Sequence, residues 1–141
     1  MKMHTSVARW VVLGSIAGWC VAPSCSFCAE QASGKPSAKV VELETNGKVY
    51  LQLLGGPPES VTMQSGLVVL APDQSVGKHS THQHEELLVV LEGKGEMIFT
   101  DRPSLPVEAN HAVYCPPQTE HDVKNTGASV LRYVYVVADA K

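Results

Sequence analysis

The sequence predicts an all-β fold, an antiparallel sandwich or barrel. Two observations carry this. Past residue 38 no stretch repeats its apolar residues at the helical period. Instead, short apolar or alternating runs of strand length follow one another, each closed by a Gly, Pro or Asn turn signal, with no crossover helix between them. A third observation concerns chemistry: histidines and acids gather at the start of one such run, His79-Ser80-Thr81-His82-Gln83-His84-Glu85-Glu86, and His121 opens another.

The chain begins with a segment set apart from the fold. Lys2 and Arg9 form a basic start, residues 10–22 are uncharged and apolar, and small and polar residues follow as far as Ala29. This layout predicts a secretory signal peptide over residues 1–29, since the run is short for a membrane span. A lipid anchor on Cys25 is the weaker alternative, because Pro23 is a poor match to the box preceding such a cysteine. Residues 30–38 are rich in Ser, Gly, Lys and Pro and read as a flexible linker. Residues 39–141 make one domain.

Within it, strands are expected over residues 39–44, ended by Asn46-Gly47, and 48–54, ended by Gly55-Gly56-Pro57-Pro58. The Val-, Leu- and Thr-rich run 60–70 ends at Pro72-Asp73. The run 82–91 closes at Gly93, and 96–100 ends at Asp101-Arg102-Pro103. Shorter runs at 105–109, 111–115 and 121–124 turn at Asn110, Pro116-Pro117 and Asn125, and 130–138 closes the chain. A closed barrel or jelly roll would also hide its strand edges, which suits an exported protein.

Composition narrows the function classes. The whole chain carries a net charge of −3; Lys2 and Arg9 are the only charges among the first 29 residues, so the remainder carries −5. There is no basic stripe and few aromatic residues, which argues against a nucleic-acid partner. No basic amphipathic helix is present to lie on a membrane. Of four cysteines, Cys20, Cys25 and Cys28 fall in the leader. Cys115, in an apolar run, is expected to be a buried small hydrophobe.

The acids and histidines point to a metal. Side chains two apart share one face of a strand, so His82, His84 and Glu86 would point the same way as Leu88 and Val90, towards the interior. Buried imidazoles and a carboxylate are costly unless satisfied, and a divalent cation satisfies them together. His121, after the Pro116-Pro117 turn, could approach from a neighbouring strand. Three or four N/O donors with open positions suit iron, manganese, nickel, copper or zinc rather than calcium. The same cluster, taken alone, is as compatible with a solvated loop. His111 has no matching neighbour and reads as structural, and Glu120 as a solvated turn carboxylate.

At these residues the chain resembles the cupin superfamily, over most of residues 39–141. The end of a first cupin motif, a glutamate and a glycine separated by six residues, matches Glu86 and Gly93. The second motif matches Pro116, His121 and Asn125 at the required spacings, with Asn110 and Gln118 in place of two glycines. The last run, from Leu131, looks like a cupin's final strand. The resemblance implies a cupin-type antiparallel β-barrel (double-stranded β-helix, or jelly roll) with a divalent metal at its mouth. The first motif departs from the pattern. Counting three residues back from Glu86 makes His82 its second histidine with Ser80 in the first place. Counting four makes His79 the first with Thr81 in the second. The ligand candidates are therefore Glu86 and His121, then His82, with His79 and His84 competing for a remaining place.

These readings lead to an exported metal-binding cupin acting on a small molecule, as a metal-dependent oxygenase- or isomerase-like enzyme. A non-catalytic small-ligand or sugar-binding protein of the cell envelope, with a structural or empty metal site, is the competing reading. The resemblance also makes a homodimer the default expectation. Membrane insertion after leader cleavage is not expected.

Overall fold

The computed structural model describes residues 34–140. The expected leader, its cysteines and the start of the linker lie outside the described residues. Nine strands are present: β1 (Tyr50–Leu54), β2 (Gln64–Leu70), β3 (His79–Ser80), β4 (His84–Glu92), β5 (Lys94–Phe99), β6 (Leu105–Glu108), β7 (Ala112–Cys115), β8 (Glu120–Asn125) and β9 (Leu131–Asp139). There is no helix among the described residues, and so none long and apolar enough to cross a membrane.

The strands form two sheets, ordered β1-β2-β9-β4-β7 and β3-β8-β5-β6, and all strand neighbours pair antiparallel. The core lies between the sheets. Leu70, Leu88, Val90, Leu131 and Tyr133 of the larger sheet pack in one cluster with Met97, Val107 and Val123 of the smaller. Each such side chain contributes roughly 1.5–3 kcal/mol by leaving water. Strand β4 shows how the pattern sets the faces: Glu86, Leu88 and Val90 are buried, whereas Leu87, Val89 and Leu91 point outwards and stay partly exposed.

Several turns hold the motif residues in place. Gly93 has φ +80°, and a Cβ there would lie 2.1 Å from the Val130 carbonyl oxygen, so only glycine fits. Asn110 (φ +67°) and Gln118 (φ +59°) stand at the two motif positions where glycine was expected, and both adopt the left-handed conformation that a glycine would take. Asn125 is a staple. Its buried amide donates to the carbonyls of Leu70 (2.9 Å) and Ser129 (2.8 Å) and accepts from the Gly127 N–H (2.8 Å), tying the end of β2 to the β8–β9 turn.

The strand expected over residues 39–44 is corrected: this segment has no regular structure. Its alternation is real, since Val41 and Leu43 are half-buried while Glu42 and Glu44 are exposed. It packs by side chains and by a hydrogen bond from the Arg132 guanidinium to the Leu43 carbonyl, not by a ladder. Residues 60–63 are likewise a bend, where the Ser60 hydroxyl bonds the carbonyls of Gly55 and Met63, and β2 starts only at Gln64.

Candidate metal centre

The site forms where the first and second motifs meet. Strand β3, only two residues long, pairs with the start of β8, so that His79 lies opposite His121 and Ser80 opposite Glu120. Thr81 fastens the join. Its N–H donates to the Thr119 carbonyl (3.2 Å), its hydroxyl donates to the Pro116 carbonyl (2.9 Å), and the same oxygen accepts from the Thr119 N–H (3.0 Å). The Gln118 N–H closes the turn onto the His82 carbonyl at 2.8 Å. Glu86 reaches the same point from β4, in the other sheet.

His79, Glu86 and His121 converge, each offering a donor atom within 4.8 Å of the others'. His79 Nδ1 lies 2.9 Å from the Gly77 carbonyl. His121 Nδ1 lies 3.4 Å from both the Thr119 carbonyl and the Cys115 sulfur. A carbonyl only accepts, so Nδ1 of each ring is placed to donate to the backbone, an outer contact of the kind that orients metal-binding histidines. His121 Nε2 approaches a Glu86 oxygen at 3.1 Å, yet off the line of a hydrogen bond, so it is buried without a hydrogen-bond partner. A buried nitrogen aimed at a shared point beside a carboxylate and a second imidazole is what a divalent metal would satisfy, and this donor set fits one.

The electrostatics agree. Burial pushes the His121 imidazolium towards neutrality, but the neighbouring Glu86 carboxylate, together with the Thr119 carbonyl and Asp122, outweighs this and holds its pKa above the usual value. Beside it, Cys115 is fully buried. Burial, then the Glu86 charge, push its thiol up to about 11.

His79 and Glu86 open onto a cavity of about 420 Å³. Val68, Val76, Val123 and Val137 give it an apolar wall; Tyr50, Tyr133 and Tyr135 complete that side, and Gln64, Ser80 and Thr81 add polar groups. His82 and His84 also line the cavity but stand outside the converging group. His82 is exposed in a turn, with φ +48°, not in a strand as the parity argument required. His84 Nε2 lies 3.1 Å from Asp139 Oδ1. His111 sits at the surface, 3.6 Å from Glu108. Glu120 is exposed and accepts from the Thr100 hydroxyl. Of the two registers of the first motif, the structure follows the one that begins at His79 and puts Thr81 in the second place.

Comparison with known proteins agrees with this architecture. The sequence matches the family described as "Cupin domain" over residues 66–137, just over half the chain. No curated protein matches it by sequence. Among solved structures, the Schizosaccharomyces pombe Cnp3 cupin domain is 17% identical with a TM-score of 0.57; the alignment covers 64% of this chain and 63% of that one, so this chain spans less than two thirds of its length. A Cupin 2 conserved barrel domain protein from Salinispora arenicola is 22% identical with a TM-score of 0.62, covering 74% and 92%. The DMSP lyase DddQ from Ruegeria pomeroyi is 20% identical with a TM-score of 0.55, covering 63% and 45%. At these identities the likeness is one of fold. With two sheets closed over one core, both motifs at one end and the family match across them, this chain belongs to the cupin family.

Proposed function

We propose that the protein is an exported, metal-dependent cupin enzyme that acts on a small molecule in the cavity beside His79, Glu86 and His121. The observation that carries this reading is the convergence of three donors on one point, with both Nδ1 atoms tied to backbone carbonyls and His121 Nε2 left without a partner. Two imidazoles and one carboxylate suit iron, manganese, nickel, copper or zinc, and three protein donors leave positions for a ligand. Such a metal supplies Lewis acidity, or redox chemistry if it is iron, manganese, nickel or copper. The protein's own residues orient its donors, bury Glu86 and His121 and present an apolar wall to the substrate.

Oxygenase and isomerase chemistry are separated by an oxygen electrode. With the protein loaded with Fe(II), oxygen consumption that depends on an added small molecule supports an oxygenase. Turnover without oxygen consumption supports an isomerase or lyase. Ligand binding with no turnover under any metal would favour the non-catalytic reading. Export and dimer formation belong to the same proposal. The leader is tested by the N-terminus of the protein recovered outside the cytoplasm. The dimer is tested by sedimentation, since Leu87, Val89, Leu91 and Tyr114 leave an apolar outer face on the larger sheet.

A further inference from the structure

Gly66 sits in the middle of β2, where a glycine weakens a strand by roughly 0.5–1 kcal/mol relative to alanine. The space it leaves is used. A Cβ at this position would lie 2.7 Å from Tyr50 Cε2 and 2.7 Å from Tyr135 Cε1. Tyr135 is the direct partner of Gly66 across β9, and Tyr50 reaches the same spot from β1, where it pairs with Val68. The two rings stack at 6.2 Å between centroids and 19° between planes, and their hydroxyl oxygens are 2.7 Å apart. Gly66 is thus the seat on which two flanking strands bring two phenols together.

Both tyrosines line the cavity that Glu86 and His79 also line. Two phenols carry two protons, and their mutual hydrogen bond commits one of them, so the pair keeps one O–H to donate. Burial, then the hydrogen bond with Tyr50, hold the Tyr135 phenol above its usual pKa, so it stays protonated at neutral pH, and either hydroxyl of the pair can be the one that faces a ligand. The register sets the backbone spacing between the tyrosine and the Glu86 position. Val137 is the β9 partner of Glu86, and Tyr135 is the next residue of β9 on the same face. That step is about 7 Å along the strand. Val137, Val68 and the ring of Tyr133 line the cavity on this side, a surface suited to hydrocarbon.

We infer that the Tyr50–Tyr135 hydroxyl pair is a second anchor in the cavity, and that the ligand is a small two-ended molecule. One end is an oxygen that binds the metal. The other is a hydrogen-bond-accepting oxygen, carboxylate or carbonyl, separated from the first by a short hydrocarbon segment. This inference rests on the metal-site reading above and specifies what that site takes. The tyrosines are positioning residues for the ligand's far end, with Gly66 as their support.

The test uses the full chain loaded with Co(II), its metal content measured before any ligand is added. Linear dicarboxylates of three to six carbons are titrated by calorimetry beside the monocarboxylates of equal length. At least one dicarboxylate is expected to bind about tenfold more tightly than its monocarboxylate, the effect of one added hydrogen bond to a charged acceptor. In the Tyr50→Phe/Tyr135→Phe double variant that advantage should vanish, with metal content and monocarboxylate affinity unchanged. Tyr135→Phe alone, should the double variant fold poorly, is expected to cut the advantage about threefold. A wild-type protein that takes up metal but shows no dicarboxylate advantage, or one whose advantage survives both variants, overturns the inference and leaves the metal reading standing. A wild-type protein that takes up no Co(II) fails at the first step, and both readings fall.

Discussion

Thr81 sets how many donors the protein brings to the candidate metal site. It occupies the place of a second histidine, but its hydroxyl is engaged by Pro116 and Thr119 and points its chemistry at the backbone. Three side chains are left, and their removal should be felt in proportion. Glu86→Ala and His121→Ala are each expected to weaken metal binding by more than about a hundredfold, beyond the cost of losing an outer partner. Ser80→Ala and His82→Ala should change it by no more than a few-fold. Calorimetric metal titration of the four variants checks this; a large loss at Ser80 or His82 would place the site in the other register. The raised pKa of His121 adds a pH dependence. Metal must displace its proton, so affinity should fall with falling pH, by about tenfold per unit once below that pKa, and should do so from above the usual histidine value. Cys115 gives the opposite sign on stability. Its thiol stays protonated up to about 11 in the folded chain, against 9.0 for the unperturbed group. Between those values the unfolded chain has lost a proton that the folded chain keeps, so stability falls as pH rises. Peptide mapping after iodoacetamide treatment should find Cys115 unmodified in the native protein at pH 8 and modified once it is unfolded. Labelling of the native thiol would contradict the burial account.

At the scale of elements, runs with strong alternation or a Val/Leu core were legible in the sequence, because side-chain period and turn chemistry act locally. Strands β4, β7 and β9 lie within two residues of the expected bounds at each end. What was not legible depends on partners distant in sequence. Residues 39–44 alternate like a strand but meet no strand edge. His79 and Ser80 form β3 only because the turn after Pro116 docks on Thr81. His82 fails the parity rule for the same reason: its carbonyl receives the Gln118 N–H, and this docked turn leaves it at positive φ. Counting back from Glu86 by the motif spacing also offers His79, which the fold places beside Glu86 and His121. Two substitutions test the elements that hold the motifs. Gly93→Ala forces a side chain against the Val130 carbonyl at positive φ, and should cost roughly 2–4 kcal/mol. Asn125→Ala strands the groups its amide satisfies and should cost a similar amount. Urea denaturation of both variants measures these costs, and a loss below about 1 kcal/mol in either would mean that the turn relaxes freely.

At the scale of the whole molecule, the two sheets serve one arrangement. The smaller sheet contributes His79 and His121, the larger contributes Glu86 and the tyrosine wall, and the core between them fixes their separation. Because a group that binds only the folded state stabilises it, metal at a hundred times its dissociation constant should add about 2.7 kcal/mol. The most direct measurement of the central claim is elemental analysis of the untagged protein, purified without chelator, beside its His121→Ala variant. One transition metal per chain in the wild type, lost in the variant while the fold is retained, is the predicted result. A wild-type protein that holds no metal and takes up none on titration, or a variant that keeps the full complement, would contradict it.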